Sequence, residues 1–414
     1  MLGDLGGVPA DGAVTVRQRR RSFRRSAVLG VAAAALLLTT GCQSTNHTPA
    51  AQAAADAVED RTSAAKIVFQ PATSAMDVRP DAAVSVSVTD GKLTSVNLVD
   101  DKSRSVPGTL AADGSSWTAT APLRVARQYR ASGTAVDADG RTVDATAFFA
   151  TLKPKKVLET SISPLSGSTV GVGMPIVVRF NKAVKDRAAV EGGLAVQSKK
   201  LIEGSWSWIS DTEVHYRPKT YWPANNRVTL DVQLRGVEAA RDLWGMKNRT
   251  IKFSTASSMV SVVNVPRHTL TVYRNGKRAR TIPVSTGKAG FLTRNGTKVV
   301  LEKHTLKVMD ATTIGIGKSD PEYYRLDVPY ALRVTWSGEF VHAAPWSTGS
   351  QGRANVSHGC VGMGMSNAIW LFNNTHVGDV IKVVGSPRTL EPGNGYTDWN
   401  VSWDKWLEGS ALSS

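Results

Sequence analysis

At 414 residues the chain is long enough for two to four domains, and its balance of apolar and charged residues is that of a folded globular protein. Many Gly, Pro, Val and Thr favour β structure with frequent turns. The net charge of +16 suits an anionic surface such as a wall polymer or membrane headgroups, and the export signal described next argues against nucleic acid, the other standard partner of a basic chain.

The chain opens on a basic region with Arg17, Arg19, Arg20, Arg21, Arg24 and Arg25. An apolar run, Ser26–Thr40, follows, too short for a comfortable transmembrane helix, and then Gly41-Cys42. This three-part pattern resembles a bacterial lipoprotein signal, with residues 1–41 removed and Cys42 lipidated. It implies an exported protein, lipid-anchored at the outer face of the cytoplasmic membrane. Residues 42–62, rich in Ala and Thr, read as a flexible tether. The chain has one other cysteine, Cys360. With Cys42 carrying lipid, Cys360 has no disulfide partner in an oxidising compartment, where a lone thiol is a liability unless it is used.

The expected fold class is mainly β. Residues 63–152 alternate like strands (Val84, Val86, Val88), with hairpin signals at Asp90-Gly91, Asp113-Gly114 and Asp139-Gly140. An immunoglobulin-like sandwich is expected there. Residues 153–257 open on the linker-like Lys153-Pro154-Lys155-Lys156 and read as a second sandwich. Ile176, Val178 and Phe180, then Trp206 and Trp208, then Val228, Leu230 and Val232 mark its strands, and His215 is expected to be structural. Residues 258–385 form a third, β-rich unit with a hairpin at Asn275-Gly276 and a short helix over Ser366–Asn373 capped by Ser366. In residues 386–414, Trp399, Trp403, Trp406 and Leu407 fall at helical spacing, and the segment is expected to pack on the third unit.

Chemistry concentrates in Val341–Met363, VHAAPWSTGSQGRANVSHGCVGM. A histidine at 342, a glycine-rich loop, then His358-Gly359-Cys360 supply what thiol acyl transfer needs. An imidazole takes the thiol proton, and a glycine lets a backbone N–H approach an oxyanion. Two other readings compete. Cys360 is a buried structural thiol, or His342, His358 and Cys360 ligate zinc, although His-x-Cys lacks the usual ligand gap.

The third unit resembles the catalytic domain of bacterial L,D-transpeptidases. Ser285-Thr286-Gly287, Tyr324, the Val341-His342 step and SHGCVGM carry the resemblance. The domain order and the tail GYTDWNVSWDKW are similar to the mycobacterial-type enzymes. The resemblance implies Cys360 as nucleophile, His342 as base, and the backbone carbonyl of Ala343 as the group orienting that base. It implies that Ser357, His358 and Gly359 shape the turn and oxyanion hole. Tyr324, Ser337, Gly338, Met309 and Trp346 match substrate-contacting positions, and Gly362 stands where many relatives carry Asn. The implied reaction is 3→3 cross-linking of peptidoglycan tetrapeptide stems through a thioester, with loss of D-alanine and no cofactor or metal. Carbapenem-type β-lactams are the implied inhibitors. Two rival functions are an L,D-carboxypeptidase or cysteine peptidase using water at the same site, and a non-catalytic wall-binding lipoprotein.

Overall fold

A computed structural model describes residues 62–413. The expected signal segment, Cys42 and all of the tether before residue 62 lie outside the described residues.

The chain is mainly β. The first sandwich packs the sheet containing Lys66–Gln70 and Ser85–Thr89 against the sheet containing Lys92–Asp100, Gln128–Val136 and Thr142–Thr151. Alternation explains the layering: Val84, Val86 and Val88 meet Leu93, Leu98 and Tyr129 in one core. Asp113-Gly114 and Asp139-Gly140 turn hairpins, as their dipeptides predict. Asp90-Gly91 does not. Ser85–Thr89 pairs with Lys66–Gln70, whereas Lys92–Asp100 pairs with Gln128–Val136, so the chain crosses between sheets at this corner. Both strands bury their apolar faces in the same core from opposite sides, and that outweighs the local preference for a hairpin.

The second sandwich has two four-stranded sheets, one holding Ile176–Phe180, Gly204–Ser210 and Glu213–Pro218, the other holding Leu194–Ser198, Arg227–Gln233 and Asn248–Thr255. Trp206, Trp208 and Trp222 lie in its core. Each indole N–H has a partner: Leu194 O at 3.0 Å, Glu191 Oε2 at 2.9 Å and Met174 O at 2.7 Å. These tryptophans are therefore satisfied core residues.

The third unit is a nine-stranded sheet that runs from Gly296–Val299 at one edge to Glu302–Asp310 at the other. Two parallel pairings organise it: Val380–Val384 beside Met259–Asn264, and Phe340–Ala343 beside Val361–Met363. The second pairing places His342 directly opposite Gly362. The helix Met365–Asn374 buries Ala368 and Leu371 against this sheet. Its N-cap is Gly364, with no side-chain cap, so Ser366 is the second helical residue rather than the cap.

The C-terminal segment packs on both the catalytic unit and the second sandwich, and its tryptophans lie against the sandwich. Only Trp403–Leu407 is α-helical, with a separate turn of 3₁₀ helix at Asp398–Asn400. Trp399 Nε1 donates to Gly173 O at 2.7 Å and Trp406 Nε1 to Ser205 O at 3.0 Å. The Arg217 guanidinium lies over the rings of Trp399, Trp403 and Trp406. Contact with the catalytic unit is made by two asparagines of the segment: Asn400 Oδ1 accepts from Thr297 N and Asn394 Oδ1 from Ser337 N. The segment thus straps the two units together.

Candidate active site

The Ser357–Cys360 turn follows from its glycine. Gly359 sits at φ +119°, a conformation that side chains resist. Ser357 ties the turn by accepting from Gly359 N at 3.1 Å and donating to Cys360 O at 2.7 Å. Thr293 Oγ1 donates to Gly359 O at 2.8 Å from the neighbouring loop. Cys360, held this way, is a free thiol among the described residues, and it leads directly into the strand that pairs with His342.

Cys360 and His342 share a cavity of about 200 Å³. Tyr324, Met309, Trp346, Ser357, His358 and Gly362 also line it. His342 is buried, and its Nδ1 lies 2.7 Å from Ala343 O. A carbonyl only accepts, so Nδ1 carries the proton and Nε2 is left with its lone pair. Trp346 stacks on the imidazole, with ring centroids 6.0 Å apart. In the resting site both partners are neutral. Burial pulls His342 below the usual imidazole range. Burial also pushes the Cys360 thiol up to about 12; Glu339 adds to this, while the Phe340 backbone and Lys298 oppose it. The thiol donates toward Gly338 O at 3.8 Å.

His358 is anchored through its imidazole by Glu322. Its Nε2 lies 2.8 Å from Glu322 Oε2, and Lys288 Nζ clamps the same carboxylate at 2.6 Å. Phe291 and Tyr324 flank its ring at 4.5 and 4.9 Å between centroids. These contacts suit an orienting role rather than metal ligation. Among the described residues no group of three or more His, Cys, Asp or Glu is placed to hold a metal ion. Tyr324 is pushed up to about 12 by burial and by Cys360 and Asp310, so its phenol is a hydrogen-bond donor at neutral pH.

Two of the expected substrate-contacting positions fall outside the cavity lining. Gly338 meets the thiol through its carbonyl, and Ser337 faces the C-terminal strap, with its backbone N–H 2.9 Å from Asn394 Oδ1. Gly362 is inside, packed so closely that a Cβ there would lie 2.9 Å from the Ala344 side chain.

The sequence reading missed the support beneath the turn. Glu339 and Lys298 are both buried and ion-paired, and Arg294 Nη1 reaches Glu339 at 3.1 Å. Glu339 lies three residues before His342, and its carboxylate packs under Gly359. A charged residue inside an apolar run, as in Thr297-Lys298-Val299-Val300 and Glu339-Phe340-Val341, is a usable signal for such a pair. Glu322 and Lys288 lie in loops and carry no comparable signal.

Residues 75–238 match the family described as a bacterial Ig domain, and residues 258–384 match the L,D-transpeptidase catalytic domain. The chain is 34% identical over 347 residues to L,D-transpeptidase 2 of Mycobacterium tuberculosis, spanning 84% of this chain and 85% of that protein. It is 41% identical over 225 residues to L,D-transpeptidase 1 of the same organism, spanning 54% of this chain and 84% of that one. A solved L,D-transpeptidase in complex with imipenem is 40% identical, with a TM-score of 0.49, covering 56% of this chain and 100% of that structure. With matched sequence running through both sandwiches and into a thiol–imidazole cavity, this chain belongs to the L,D-transpeptidase family.

Proposed function

We propose that the protein forms 3→3 cross-links in peptidoglycan through a Cys360 thioester, working at the outer face of the cytoplasmic membrane and lipid-anchored at Cys42. The observation that carries the mechanism is the 2.7 Å contact of His342 Nδ1 with Ala343 O: a carbonyl only accepts, so Nδ1 holds the proton and Nε2 is the free base of an imidazole that lines the thiol's cavity.

The resting pair is neutral, so the proton moves only as the acyl group arrives. His342 Nε2 takes the Cys360 proton while sulfur bonds to the carbonyl carbon of the third stem residue. Collapse of the tetrahedral intermediate breaks the bond to D-alanine, whose amine leaves with the proton from His342. The side-chain amine of a neighbouring stem then attacks the thioester, gives its proton to His342, and the thiolate leaves and is reprotonated. The lowered pKa of His342 keeps it a base below pH 6.5, its ordinary value, so the acid limb of the rate profile falls beneath that value.

A carbapenem acylates the same thiol by the same addition, with ring opening in place of loss of an amine. The test is intact-protein mass after incubation with a tetrapeptide donor and with imipenem. Wild type gains each acyl group, Cys360→Ala gains neither, and His342→Ala reacts at least tenfold more slowly. Cross-linked dimer on adding an acceptor stem supports transpeptidation, whereas tripeptide alone means that water is the acceptor. An unmodified wild-type thiol would sink the acyl-enzyme mechanism.

A further inference from the structure

A second cavity, of about 300 Å³, lies between the two sandwiches, away from the catalytic centre. Arg104, Arg124 and Arg127 of the first sandwich and Arg235 and Lys247 of the second line it. The carboxylates paired with this set are Asp100 and Asp101. Asp100 Oδ2 serves two guanidiniums, Arg104 at 2.7 Å and Arg124 at 3.6 Å, and Asp101 meets Arg127 at 3.5 Å. Among the described residues no carboxylate pairs with Arg235 or Lys247. The Nε atoms of Arg127 and Arg235 are buried and have no hydrogen-bond partner there.

Five cations around two carboxylates leave an excess of positive charge that an anion would balance, with the buried, unpartnered Nε atoms of Arg127 and Arg235 as its nearest donors. Burial pulls Arg235 below the usual guanidinium range, and Arg124 and Arg104 add to the effect while Tyr129 opposes it. Guanidinium forks match the oxygens of phosphoryl and carboxylate groups. The excess of cations over carboxylates fits the charge of a phosphoryl group better than that of a single carboxylate. The cavity also exceeds what one water would need.

We propose that this cavity is an anion site that takes a phosphoryl group, bridged between Arg124 and Arg127 of the first sandwich and Arg235 and Lys247 of the second. Binding joins the two sandwiches and does not depend on the cross-linking chemistry, so its test reads binding and not activity. The phosphoryl group comes either from a soluble or polymer-borne phosphate or from a lipid headgroup.

The experiment is calorimetric titration of the full chain with inorganic phosphate at constant ionic strength. Saturable binding is expected, accompanied by a rise in melting temperature. Arg235→Gln should weaken it about tenfold and Lys247→Ala severalfold. Lys247 is exposed, so its substitution leaves the fold undisturbed even if Arg235→Gln were unstable. Glycerol phosphate and vesicles of phosphatidylglycerol in phosphatidylcholine separate the sources. Competition by glycerol phosphate, with vesicle retention unaffected by Arg235→Gln, assigns a soluble or polymer phosphate; retention lost in Arg235→Gln assigns a headgroup. Phosphate heats that do not saturate, or equal affinity in wild type and Lys247→Ala, would overturn the site.

Discussion

Cys360 illustrates how a residue's neighbours set its chemistry. A free thiol near pKa 8.5 is partly ionised at mildly alkaline pH, but burial holds Cys360 up to about 12. The enzyme at rest is therefore not a thiolate–imidazolium pair, and nucleophilicity appears only when His342 can pass the proton onward. Alkylation by iodoacetamide without substrate should keep rising with pH and show no plateau below about pH 9. A plateau near pH 6–7, the mark of a preformed ion pair, would contradict this picture. At the same scale, Gly362 faces the cavity. Gly362→Asn has to displace Ala344, since its Cβ would lie 2.9 Å away.

At the scale of elements, the catalytic turn rests on a buried ion pair and the second sandwich is welded to the sheet by backbone. Glu339→Gln leaves Lys298 buried beside a neutral partner, and breaking such a pair costs about 3–5 kcal/mol. Chemical denaturation measures this, and Lys298→Met combined with Glu339→Gln should restore much of the loss. A cost below about 1 kcal/mol, typical of surface pairs, would mean that the pair contributes little. The weld is the approach of Gly171 N to Val377 O at 2.8 Å and of Gly173 N to Gly378 O at 2.9 Å. A Cβ on Gly171 would lie 2.0 Å from Asp379 N, so Gly171→Ala must push the two backbones apart. Amide exchange at Val377–Asp379 should accelerate in that variant while the distant hairpin at Asn275-Gly276 stays protected. Unchanged exchange at both would show that the contact yields without cost.

Across the whole molecule, the C-terminal strap is a stability element with its own pH dependence. His215 is buried between Glu213, at 2.6 Å, and Asp398, at 3.0 Å. Burial alone would depress it, but Asp398 and Glu213 raise it to about 9, above its ordinary 6.5. The folded state therefore binds more protons between those values. The stabilisation is fully present below about 6.5 and is lost as pH rises through about 9. Its size is on the order of 3 kcal/mol. Unfolding at pH 6 and pH 9.5 should show this drop in wild type and a much smaller one in His215→Gln. An equal drop in both proteins would assign it elsewhere. Strands, hairpins and the Cys–His pair were legible before any coordinates, because alternation, turn dipeptides and a short spaced motif are local. Asp90-Gly91 misled for the same reason: a local turn signal does not say which sheet the next strand joins. What the sequence by itself determined is the mainly β class, the three-unit order and the meeting of Cys360 with His342. Tertiary structure alone decided what these parts rest on. His215 meets Asp398 across 183 residues and Trp399 meets Gly173 across 226. Such contacts depend on the complementarity of finished surfaces, and no stretch of chain encodes that locally.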